Sequence, residues 1–101
     1  AATATEDQAM SAPDIIHHGI PGRFVTEADG HVANLDYEMA GGVMHITHTH
    51  VPEAIGGRGI AGRLAEAAFH HARVEGWKVR PLCSYVEAWV KRHPEWADLL
   101  D

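Results

Sequence analysis

The sequence predicts an α+β fold: an antiparallel meander sheet, a helix opened by a glycine loop, a parallel strand, and C-terminal helices. Three observations predict it. Between Ile15 and Val51 apolar residues alternate with a period of two, and short turn signals interrupt them. At Ile60 the period changes to that of a helix. Between these regimes lies "GGRGIAG", Gly56 to Gly62, a stretch of nearly bare backbone leading straight into the helix.

The elements follow in order. Ile15-Ile16-His17 is a brief first strand, and Pro21-Gly22 turns the chain into a second at Arg23-Phe24-Val25-Thr26. Asp29-Gly30 is a hairpin turn, because both residues tolerate the left-handed backbone such turns require. His31 to Met39 alternates, with Ala33, Leu35, Tyr37 and Met39 on one face. After Gly41-Gly42, Val43 to Val51 is rich in β-branched residues, and strict alternation puts Met44 and Ile46 on one face with His48 and His50. Ala61, Leu64, Ala65, Ala68, Phe69 and Ala72 then form one helical stripe whose small residues allow close approach to a sheet, and Gly76 ends it. Trp77 to Cys83 reads as a strand returning parallel to the last meander strand, with Pro81 marking an edge or bulge. Ser84 and Glu87 have capping-box spacing for a helix running to about Arg92, and Pro94 opens one more turn.

Composition narrows the functions. A chain of 101 residues, 46% apolar and 22% charged, reads as one globular domain over 14–101 behind a mobile tail over 1–13. A net charge of −6 with neutral histidine speaks against a nucleic-acid surface. No apolar run is long enough to cross a membrane, and the first residues lack the basic and apolar regions of a signal peptide. One cysteine, Cys83, forms no internal disulfide and fits a reducing, cytoplasmic setting. Metal is not expected: the nine histidines include His45, His48 and His50 on one strand, but His45 points away from the other two.

Glycines before a helix suit an anion, since backbone N–H groups point outward and the helix dipole is positive there. A P-loop of the nucleoside-triphosphatase type needs Lys and then Ser or Thr, whereas Arg63 and Leu64 follow Gly62. Gly57 to Gly62 matches GxGxxG, but it follows a meander instead of the first strand of a dinucleotide unit, and no acidic residue stands at the next strand's end.

The blocks "HTHVPE", "GGRGIAGRLAEAA", "PLCSYV" and "HPEWADLL" resemble, in order, the GNAT superfamily of acetyl-CoA-dependent N-acetyltransferases, and within it a minimal stand-alone family. The resemblance spans the chain from Ile15 onward. Its signature Q/R-x-x-G-x-G/A falls on Gly56, Gly59 and Ala61, so Gly56 replaces the usual Gln or Arg. The resemblance implies a GNAT-like fold and transfer of acetyl from acetyl-CoA to an amine acceptor. It implies coenzyme A with its pyrophosphate on Gly56, Gly57, Arg58, Gly59, Ile60, Ala61 and Gly62; the charge of Arg58 or Arg63 is expected to compensate for the side chain missing at Gly56. The pantetheine arm would lie between splayed strands beside Val51, ending near Cys83 and Tyr85. A non-catalytic module that holds CoA or acyl-CoA is the alternative.

Acetyl transfer requires an amine to lose a proton, a carbonyl oxygen to be stabilised and a thiolate to leave. Cys83 stands at a strand end before a helix, where a thiol pKa falls; by the resemblance it is a transient acetyl acceptor or lines the pocket. His48 and His50 are candidate bases; His48 matches the family's block, and His50 stands where the family often has Glu. Tyr85 either protonates the leaving sulfur or packs. The acceptor is unnamed, and the chain is expected to be a monomer or homodimer.

Overall fold

The computed structural model describes residues 14–19 and 21–101; the expected tail over 1–13 lies outside the described residues. Four strands form the meander: β1 (Ile15–Gly19), β2 (Gly22–Ala28), β3 (His31–Ala40) and β4 (Val43–His50). A 3-10 turn at Glu53–Ile55 leads to helix α1 (Ile60–Glu75), strand β5 (Lys78–Pro81), helix α2 (Ser84–Arg92) and a second 3-10 segment, Pro94–Leu99. The sheet order is β1-β2-β3-β4-β5, antiparallel except for the β4–β5 pair.

The apolar stripe of α1 lies on one face of this sheet. Leu64, Ala65, Ala68, Phe69 and Ala72 are buried against Phe24, Leu35, Met44 and Ile46 from the strands, and α2 adds Val86, Trp89 and Val90. Alanines at three of those helical positions let α1 lie close to the sheet. Phe69 fills the remaining space against Trp89, with ring centroids 5.4 Å apart. The helix stops as a Schellman motif: Gly76 is left-handed at φ 79°, its N–H donates to Arg73 O, and the Trp77 N–H donates to Ala72 O. Gly22 is fixed by packing instead of by φ. A Cβ there would lie 2.6 Å from the ring of Tyr37, its direct partner on β3.

Three local expectations change, each for a stated reason. β5 ends at Pro81, short of Cys83, because proline has no N–H to carry the ladder further. Cys83, not Ser84, is the N-cap of α2. It is extended at φ −85°, ψ 130°, and the first helical bond runs from Glu87 N to Cys83 O, so the Ser84–Glu87 capping box does not form. The third change is a bulge. Asp36 pairs with His48 while Tyr37 pairs with Ile46, so Thr47 is an extra residue in β4. That extra residue reverses the alternation: Met44 and Ile46 stay on the buried face, while His48 and His50 pass to the outer face and Thr49 turns inward opposite Leu35.

Candidate functional site

β4 and β5 pair only from Val43↔Lys78 to Ile46↔Pro81. At that point the N–H groups of Leu82 and Cys83 both donate to Ile46 O, at 2.9 and 3.1 Å, which closes the ladder. β4 runs on to His50 with only β3 as a partner, so a wedge opens between its last residues and the start of α2. Pro81 on one side and the Thr47 bulge on the other produce the splay.

Cys83 and Thr49 meet in this wedge, where the thiol donates to Thr49 Oγ1 at 3.5 Å. Burial pushes the thiol pKa up. The Thr49 hydroxyl and the N–H groups of Val86, Tyr85 and Thr49 favour the thiolate more strongly, so the net pKa falls below the usual thiol range. Cys83 is thus the N-cap residue of a helix whose positive end favours a thiolate. Tyr85, at the second helical position, has its phenol pushed up by burial and so stays protonated near neutral pH.

The glycine loop lies beside the wedge. Gly57 and Gly59 are left-handed, at φ 78° and 77°. The first bond of α1 runs from Arg63 N to Gly59 O, which leaves the N–H groups of Ile60, Ala61 and Gly62 without intrahelical acceptors. No acidic residue occupies that first turn. At Gly62 a Cβ would lie 3.4 Å from Trp89 Nε1 and 3.5 Å from Tyr85 Oη, so a bare position lets α2 come up against the loop.

Between the two helices runs a groove of about 500 Å3, lined by Arg58, Gly59, Gly62, Arg63, Glu66, Tyr85, Trp89, Arg92, His93, Glu95 and Trp96. Three arginines stand there against two carboxylates. Arg58 also reaches Asp29 in the β2–β3 turn at 2.5 Å. His93 is fixed by stacking on Trp89, centroids 4.2 Å apart, and by a 2.8 Å bond between its Nδ1 and Trp89 O. The groove's arginines, the left-handed glycines and the free N–H groups suit the phosphates of a coenzyme A nucleotide; the wedge suits a thin arm ending in a thioester.

The structure therefore brings Cys83 and Tyr85 together, and gathers Gly59, Gly62, Arg58 and Arg63 with Tyr85 around one groove. Val51 is half-buried just past β4, and Gly56 closes the 3-10 turn before the loop. His48 and His50 stand apart from the thiol, exposed on the outer sheet face with rings parallel at 6.4 Å. Sequence reasoning missed Thr49, whose orientation depends on the bulge. It also missed the groove wall of Trp89, Arg92 and Trp96, because the sequence marks only a helix ending near Arg92 and a further turn after Pro94. Among the described residues no group of three or more His, Cys, Asp or Glu side chains is placed to hold a metal, and no helix is long and apolar enough to cross a membrane.

Protein NATD1 of Homo sapiens is 41% identical over 63 residues, covering 61% of this chain and 56% of that protein. The Gallus gallus and Danio rerio proteins of that name are also 41% identical, with 57% of each covered. The chain thus matches little more than half the length of these relatives. The solution NMR structure of a GCN5-like protein from Staphylococcus aureus shares the fold, with a TM-score of 0.71 at 23% identity over 87% of each chain. The family model of the GCN5-related N-acetyl-transferases matches residues 23–99, from β2 through the last 3-10 segment. Glycine loop, splayed strands and sequence agree: this chain belongs to the GCN5-related N-acetyltransferase family.

Proposed function

We propose that the protein transfers an acetyl group from acetyl-CoA to an amine. The observation that carries this reading is the wedge itself. Splayed strands end at a cysteine biased toward thiolate, directly beside an anion-ready helix N-terminus. In this reading the pyrophosphate rests on the N–H groups from Gly57 to Gly62, and the nucleotide end lies in the arginine-lined groove. The arm enters between Val51 and Leu82; Leu82 is 60% exposed and offers it an apolar contact.

Bound acetyl-CoA supplies an activated thioester carbonyl. Its carbon is attacked either by the amine directly, or by Cys83 Sγ followed by the amine. In the second route a bond forms between the acetyl carbon and Cys83 Sγ as the bond from that carbon to the CoA sulfur breaks, and the amine then displaces Cys83, which leaves as its thiolate. The Tyr85 phenol, kept protonated by burial, is the proton donor to the departing CoA sulfur. His48 or His50 acts as base only for an amine arriving from the outer sheet face, because both lie there.

That separation favours one other reading. A site whose two candidate histidines, His48 and His50, lie on the far face of the sheet from the thiol also fits a module that holds CoA or acyl-CoA without turnover. Acetyl-CoA consumption with a panel of polyamines and lysine peptides, run with wild type, Cys83→Ala and His48→Asn, decides. Turnover lost in Cys83→Ala supports the two-step route. Turnover kept there leaves direct attack. Tight acetyl-CoA binding with no turnover on any amine supports the binding module, and no binding at millimolar ligand overturns both readings.

A further inference from the structure

We infer that Arg73, which does not line the groove, is a positioning residue that sets the shape of its nucleotide end. The inference rests on the cofactor placement proposed above. Arg73 lies in the last turn of α1 and grips the Pro94–Leu99 segment at three points. Its Nη1 and Nη2 donate to Asp98 Oδ2 and Oδ1 at 3.2 and 3.0 Å. Its Nη2 also donates to Glu95 O at 3.2 Å, and its guanidinium carbon sits 4.9 Å from the ring centre of Trp96. Glu95 and Trp96 are groove residues, so one side chain fixes the backbone, the ring and the far end of the segment that walls the groove.

The segment needs such a tie. A six-residue 3-10 run has strained hydrogen bonds and is longer than such runs usually are. Its far end is anchored separately: Lys78 Nζ donates to Asp98 O at 3.0 Å, Leu99 is buried, and Asp101 N donates to Val79 O at 3.0 Å; its N-cap, His93, is held on Trp89. At the groove end the Trp96 ring is held between Phe69, 6.3 Å away, and the Arg73 guanidinium. The Arg73–Asp98 pair is half exposed, with side chains 44% and 62% accessible, and exposed pairs add little stability. A residue that stabilises little while fixing three points of a groove wall acts through geometry. Lysine does not replace it, because a point charge cannot fork to a carboxylate while stacking on an indole.

The test uses the full chain and CoA itself, with two readouts from opposite ends of the site. CoA affinity, by calorimetry, reports the groove; the rate of Cys83 alkylation by iodoacetamide reports the wedge. Arg73→Ala and Arg73→Lys are expected to weaken CoA binding about tenfold, with the alkylation rate of the free protein unchanged and melting within a few degrees of wild type. Asp98→Asn, a benign surface change, is expected to weaken CoA binding less, and to add nothing once Arg73 is gone. Arg73→Lys or Asp98→Asn carries the test if Arg73→Ala does not fold. Variants that bind CoA as wild type does overturn the inference, as does an equal loss at both ends, which marks general loosening. A wild type that binds no CoA overturns the cofactor reading on which the inference stands.

Discussion

Thr49 and Cys83 show how much of this site depends on single side chains. The thiol is burdened by burial and relieved by hydrogen bonds, and Thr49 supplies two of these, one from its hydroxyl and one from its N–H. Thr49→Val keeps the shape and the N–H and removes only the hydroxyl. The midpoint of the alkylation rate against pH should therefore move up, and alkylation at neutral pH should slow, since the thiolate is the reacting form. An unchanged profile would mean that the helix N–H groups alone set the thiol. Gly56 poses the converse case. Its backbone is extended at φ −70°, ψ 159°, and a Cβ would lie no nearer than 3.4 Å from Glu53 O, so nothing in the backbone demands glycine. Gly56→Arg restores the family's side chain beside the glycine loop, where the proposed function puts the pyrophosphate. It is expected to tighten CoA binding by about 1 kcal/mol, near fivefold, by calorimetry. A weaker complex would show that the side chain blocks the loop instead of assisting it.

At the scale of elements, the start of α2 and the end of β4 determine the geometry of the wedge. Because Cys83 caps α2 and Ser84 is already helical, Ser84→Ala should cost less than about 0.5 kcal/mol in urea unfolding, where loss of a true cap costs about 1 kcal/mol. A loss of 1 kcal/mol or more would restore Ser84 as the cap. The bulge at Thr47 does more than bend β4. Without it His48 and His50 would face α1 and Thr49 would point outward, away from the thiol. One inserted residue thus exchanges a pair of imidazoles for a hydroxyl at the tip of the wedge. The capping error and the alternation error have a common source. Each concerns a boundary where the local pattern fits two registers one residue apart, and contacts distant in sequence select one.

Across the whole molecule, the site gathers where the β2–β3 turn, the carboxyl ends of β4 and β5, and the N-termini of α1 and α2 converge, as ligand sites in open sheets do. The opposite corner holds a second cluster with a different consequence. His17 in β1 lies between the rings of Phe24 and His71, at 4.4 and 4.3 Å, and is hydrogen-bonded to the Tyr37 hydroxyl, so it joins the edge strand to β2, β3 and α1. Burial, with repulsion from His71 and His18 and slight relief from Glu75, lowers its pKa below 6.5. The unfolded chain therefore binds more protons in the window between the folded value and 6.5. Stability from this group is complete above 6.5 and is lost as pH falls through that window. Melting temperature should fall on acidification below pH 7, and His17→Gln should flatten that fall relative to wild type. Equal slopes would show that other histidines carry the acid sensitivity.

The sequence by itself determined the class of fold, the order of its elements and the location of the glycine loop. Those depend on information that is local: a period of two against 3.6, a glycine where φ is positive at Gly57, Gly59 and Gly76, and a run of small residues on α1. It also singled out Cys83, because a strand end followed by a helix start is legible in a few residues. Only the tertiary structure decided which face His48, Thr49 and His50 take, since a bulge is a register relation between β3 and β4 and no single strand encodes it. Only the tertiary structure built the groove wall, since Arg73 and Asp98 are 25 residues apart and their ion pair exists only once α1 has packed beside the Pro94–Leu99 segment. Propensity and period act along the chain, whereas register, orientation and the shape of a groove are settled by what packs across it.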